Sequence, residues 1–131
     1  MKMKLFAVLG LAVVCAAMSP NLLAHHGSRA SYDMQKMVTL EGTITEFQWQ
    51  NPHVYVMFNV KDDKGNEVEW GAETYSPIVM ERDGWTPHEL KPGDKVTVTV
   101  WPSKTDAPRG FLAKLVGPDG KVTDLTRRLP E

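Results

Sequence analysis

Between residues 38 and 49 the apolar positions alternate with polar ones, and the alternation changes phase part-way. Val38, Leu40, Gly42 and Ile44 lie on even positions, whereas Phe47 and Trp49 lie on odd ones. A period of two marks a half-buried strand. A one-residue change of phase is the mark of a β-bulge, which bends strands in small barrels, and we place one near Thr45-Glu46. Asn51-Pro52 then reads as a turn or sharp bend. A second alternating segment covers residues 53–60, with Val54, Val56, Phe58 and Val60 on one face and His53, Tyr55 and Met57 on the other. The run Lys61-Asp62-Asp63-Lys64-Gly65-Asn66 is a hairpin loop. A third strand follows, carrying Val68, Trp70 and Ala72 on one face and Glu67, Glu69 and Glu73 on the other.

Ser76-Pro77 is a helix start, a capping residue followed by proline in the first turn. The short helix over 77–83 can be stopped by Gly84 in a left-handed conformation. After the turn Lys91-Pro92-Gly93-Asp94, strand four covers 95–101 with Val96, Val98 and Val100 inward, and strand five covers 111–116. The turn Pro118-Asp119-Gly120 leads into a short polar tail. The order strand, strand, strand, helix, strand, strand, with a bulged first strand, predicts an all-β domain with one short helix. It matches a small five-stranded OB-like β-barrel, with another small barrel or an open meander as the competing architecture. OB folds bind on the face of strands 2 and 3, which marks a place and not an activity.

The N-terminus is of a different kind. Lys2 and Lys4 precede an apolar run from Leu5 to Met18, broken by Ser19, Pro20 and Asn21 before Leu22-Leu23-Ala24. Charge, apolar core and small residue make a secretory signal peptide. The run falls short of the roughly 20 residues a spanning helix needs. Cleavage after Cys15-Ala16-Ala17 competes with cleavage after Ala24, which lies beyond the helix-breaking Pro20, and we place it after Ala24. Val14 ahead of Cys15 argues against lipidation. The expected organisation is a signal over 1–24, an N-terminal arm over 25–36 and the barrel over 37–131, exported to the periplasm.

Cleavage would remove 24 of 131 residues and leave 107, enough for one small domain. Lys2 and Lys4 leave with the signal, so 15 basic residues become 13 against 16 acidic ones, a formal charge of −3. No basic cluster exceeds Arg127-Arg128, so neither nucleic acid nor, after cleavage, a membrane surface is indicated as a partner. The single cysteine leaves too, and the domain must be held by packing rather than disulfides. No nucleophile elbow, phosphate loop or cysteine-based zinc motif is present, and we read the protein as a non-enzyme.

The chemistry rests on four histidines: His25, His26, His53 and His88. At a new N-terminus His25 would carry an α-amine beside its imidazole. These titrate near roughly 7.7–8.0 and 6.5, so both can be neutral donors near neutral pH. Amine and ring nitrogen can chelate one ion, and a further histidine would complete a nitrogen-rich tetragonal site, which favours Cu(II). The hairpin constrains the partner. Matching the apolar faces of strands 2 and 3 places Glu73 opposite His53 or opposite Tyr55. Either register gathers His53, Tyr55 and Glu73 on one outward face, over which the arm can fold. Glu73 would then orient His53 or bind the ion itself. The candidate metal site is therefore His25, His26, His53 and Glu73, with copper as the ion. A plainer reading competes: solvated N-terminal histidines, a simple bend at Asn51-Pro52-His53, with Asn51 bonding its own backbone, and an ordinary surface glutamate. His88 reads as an exposed first-turn residue. Trp49, Asn51, Tyr55 and Trp85 are the candidate binding surface. Among the tryptophans, Trp70 is in phase with the core, Trp85 closes a barrel end, and Trp49 and Trp101 fit either role.

The stretches "AHH", "LEGTITEFQWQNPH", "WGAET", "RDGW" and "KPGDKVTV" together resemble a family of small exported bacterial proteins catalogued as domain of unknown function 6152. The most specific part is Trp-x-Asn-Pro-His (Trp49, Asn51, Pro52, His53). Members commonly read His-His-Ser where this chain has His25-His26-Gly27. The resemblance implies that His25, His26, Asn51, His53, Glu73 and Trp85 occupy motif positions, and it transfers no activity. The expected function is metal binding or delivery in the periplasm, probed first with copper. The alternative is a non-enzymatic recognition module for a protein or glycan on the strand 2–3 face. A mononuclear copper oxidase is a third reading, which would need an open substrate face.

Overall fold

The computed structural model describes residues 27–128. After a four-residue helix α1 (Ser28–Ser31) come strands β1 (Val38–Gln48), β2 (Tyr55–Lys61) and β3 (Glu67–Glu73), helix α2 (Pro77–Arg82), and strands β4 (Lys95–Pro102), β5 (Arg109–Val116) and β6 (Val122–Asp124). Antiparallel pairing runs β3-β2-β1-β4-β5, and a parallel pairing of β3 with β5 closes the circle. This is the five-stranded OB-like barrel expected from the element order. The phase change in β1 is a bulge between Ile44 and Glu46, where the alternation switches. The interior is filled by Ile44, Val54, Val56, Phe58, Ala72, Val96, Val98, Val100, Leu112 and Leu115, the inward-phased residues of all five strands.

Helix α2 plugs one end through the buried Met80. Ser76 starts it differently from expectation. Its side chain makes no capping bond, while its carbonyl accepts the Val79 and Met80 amides, each at 3.0 Å. The C-terminus is a Schellman motif: Gly84, at φ +85°, donates to the Glu81 carbonyl and Trp85 to that of Met80. The reversal drives Trp85 into the core at 2% exposure.

Two features depart from the sequence reading. The tail is not merely polar: β6 pairs with the second half of β5, with Leu115 opposite Thr123, and Leu125 is buried. The outer face of β4 and β5 is also covered. Trp101, Phe111 and Ala113 form a second cluster outside the barrel under Tyr32, with Met34 and Tyr75 packed against it. A shift in the β4–β5 register beside Ala113 and burial on both faces explain why this strand reads as an apolar run without clean alternation. The arm holds its place by backbone bonds along the end of β4. Asp33 donates to the Pro102 carbonyl at 2.8 Å and Lys104 to that of Ser31 at 3.1 Å.

Candidate functional site

The face predicted to gather His53, Tyr55 and Glu73 does so. In the β2–β3 ladder Glu73 lies opposite Tyr55, one of the two registers expected. His53 precedes β2 by two residues, just after the exposed Asn51 and Pro52, whose peptide bond is cis. Pairing continues past the strand ends, with Val54 donating to the Tyr75 carbonyl and Thr74 to that of Val54, both at 2.9 Å. Val54 therefore points into the barrel and His53 away from it.

Glu73 is the hub. Its Oε1 accepts from His53 Nδ1, and its Oε2 accepts from the Tyr32 hydroxyl at 2.5 Å. An ionised carboxylate only accepts hydrogen bonds, so in this pairing Nδ1 carries a proton, and a neutral ring so held has its lone pair on Nε2. Nε2 has no partner among the described residues. The His53 side chain is 35% exposed and that of Glu73 16%, so the imidazole is open while its anchor is largely covered. Tyr32 escaped the sequence reading. It is the one aromatic residue in a polar arm, and it is seated by ring contacts with Phe111 at 5.9 Å.

The phenols register this environment. Burial first, then the hydrogen bond to Glu73 and its charge, push Tyr32 far above the usual 10.0 for a tyrosine, with Arg109 opposing. Tyr55 is raised by burial and then by the charge of Glu73. Tyr75 is pushed up to about 12, mainly by burial; its hydroxyl donates to the Arg128 carbonyl. These are all three tyrosines of the chain. A raised acid resists losing its proton in the folded state, so their contribution is whole below pH 10 and is lost as the pH rises through the folded values. Ultraviolet titration is therefore expected to show little tyrosinate in the folded protein near pH 10 and a normal titration in urea. Stability should fall between about pH 10 and 12. A folded-state titration centred at 10 would contradict the buried placement of these rings.

The other candidates separate from this cluster. His25 and His26, like the expected signal segment, lie outside the described residues. Trp49 is half-buried against Phe47, at 5.9 Å between ring centroids, on the edge of the core. Trp85 offers no binding surface: it is buried, and its Nε1 donates to Thr123 Oγ1 at 2.7 Å. Asn51, a binding-surface candidate, is exposed and makes no hydrogen bond to a described residue, so the backbone bond of the plainer reading is not formed. His88 lines a cleft of about 160 Å³ by the far end of β5. The charges there satisfy one another, Lys121 with Glu89 at 2.5 Å and Lys91 with Asp94 at 2.7 Å. Among the described residues, no group of three or more His, Cys, Asp or Glu side chains is arranged to hold a metal ion. At the Glu73 cluster they supply one oriented imidazole.

Comparison with known proteins adds membership and no chemistry. Neither a curated protein nor a solved structure gives a significant match to the chain. The sequence profile described as "Family of unknown function (DUF6152)" matches residues 12–112, which include both N-terminal histidines, His53, Glu73 and the barrel strands through the first half of β5. The chain belongs to that family.

Proposed function

We propose that this is an exported, non-enzymatic copper-binding protein whose centre combines the His53 imidazole with the histidine pair His25-His26. The observation that carries the reading is the double use of Glu73, which holds Nδ1 of His53 with one oxygen and the arm, through Tyr32, with the other. A carboxylate on the far nitrogen fixes the tautomer and raises the basicity of a ligating histidine, and such partners are worth roughly 10–100-fold in metal affinity. With one oxygen on His53 and the other on Tyr32, Glu73 serves the centre by orienting His53. The same contact docks the arm beside the imidazole. Gly27 is the first described residue, and His25 precedes it by two positions, a span of about 7 Å in extended chain. The role is binding or delivery of the ion.

Glu73→Gln tests the reading. A glutamine has one acceptor where two donors compete. Calorimetric Cu(II) affinity at fixed pH, on protein beginning at His25, is expected to fall about 10–100-fold, while the amide NMR spectrum shows the barrel intact. Unchanged affinity would remove the His53–Glu73 pair from the centre. Weak copper binding by the unaltered protein would favour the recognition module.

A further inference from the structure

Beside the His53 cluster, β2, β3 and β5 lay two rows of outward residues across the seam where the barrel closes. One row is Tyr55, Glu73, Phe111, and the next is Met57, Gly71, Arg109. Cross-strand neighbours sit about 4.5–5.5 Å apart, so the central residue of each row decides whether its flanks are separated. In the second row that residue is a glycine. A Cβ at Gly71 would meet Met57 Sδ at 3.3 Å and Cε at 3.4 Å, and nothing else within 4 Å. The thioether leans over the bare backbone, and the side towards Arg109 is open.

The donors around this gap lack acceptors. Arg109 is exposed, and its guanidinium makes no hydrogen bond or ion pair with a described residue. The Tyr55 hydroxyl likewise has no described hydrogen-bond partner. Among the carboxylates on this face, Glu73 accepts from His53 and Tyr32 and one oxygen of Glu69 accepts from the Thr45 hydroxyl at 3.2 Å; neither forms an ion pair with Arg109 among the described residues. The positive charge of Arg109 favours the ionised forms of both Tyr32 and Tyr55, which agrees with its place beside them.

We propose that Arg109 and Tyr55 form a subsite for the carboxylate of a small organic acid, whose apolar body lies over Gly71 against Met57. A guanidinium presents paired N–H groups that match the two oxygens of a planar carboxylate, and the Tyr55 hydroxyl supplies a third donor. Bare glycine and a polarizable thioether make a flat apolar floor. The subsite uses none of the proposed metal ligands and stands without the copper reading.

The test is NMR titration of metal-free, isotope-labelled protein with acetate, benzoate and inorganic phosphate. Saturable shifts are expected at the Gly71 amide and the Arg109 side chain, with benzoate tighter than acetate because its ring covers the floor, and phosphate weaker than both. Arg109→Gln should weaken benzoate about tenfold or more, the scale of a lost charge-assisted pair. Gly71→Ala should erase the preference for benzoate over acetate. Lys64→Gln, in the distant hairpin loop, should change nothing. The spectrum reports whether each variant folds, and Arg109→Lys, which keeps the charge and loses the fork, carries the test if the glutamine variant does not; it should also weaken benzoate. Absence of localised shifts, equal binding by the arginine variants, or phosphate binding at least as tight as benzoate would overturn the proposal.

Discussion

Replacing Trp85 with alanine is expected to cost about 3–5 kcal/mol of stability, the range for truncating a buried large aromatic residue. The indole is 2% exposed and packs on Phe47 at 5.8 Å between centroids. Its N–H donates to the Thr123 hydroxyl at 2.7 Å, which ties the turn after α2 to β6. Alanine leaves a cavity and strands the buried threonine oxygen. Small domains have about 5–15 kcal/mol in total, so the variant should unfold at a much lower urea concentration. Trp85→Phe, which refills most of the space and loses only the donor, is expected to cost about 1–3 kcal/mol. A cost below about 1 kcal/mol for the alanine variant, within reach of surface substitutions, would contradict the buried placement of Trp85.

The sequence reading leaves Trp85 two places, the end of the barrel and the binding surface, and the buried ring takes the first. A tryptophan after a turn glycine is equally consistent with a lid and with a plug, and only the Schellman reversal decides which way it points. Local signals served better elsewhere. The bulge at Ile44–Glu46 followed from a change of phase, and the meeting of His53, Tyr55 and Glu73 followed from matching two apolar faces across one hairpin. Both are problems of neighbouring residues. Tyr32 and Arg109 were missed because their positions depend on contacts between segments far apart in the chain. Tyr32 reaches Glu73 across 41 residues, and Arg109 meets Gly71 only through the parallel closure of β3 on β5. No periodicity within either segment announces such a partner. The strand β6 was missed because three residues carry too little pattern to separate a strand from a polar tail.

The metal reading depends on a chelate at the exposed N-terminus meeting an oriented imidazole on the barrel. An amine and a ring nitrogen on one residue act at high effective concentration, and linked binding groups gain about 10²–10⁴-fold over separate ones. One alanine placed ahead of His25 moves the amine off that residue and leaves every other side chain in place. The most direct measurement is Cu(II) titration of protein beginning at His25 beside the alanine-extended form, by calorimetry and electron spin resonance. The expected result is a single tight site with nitrogen hyperfine structure in the first, and a loss of about 100-fold or more with a changed spectrum in the second. Equal affinity and identical spectra in the two forms would contradict the proposed centre.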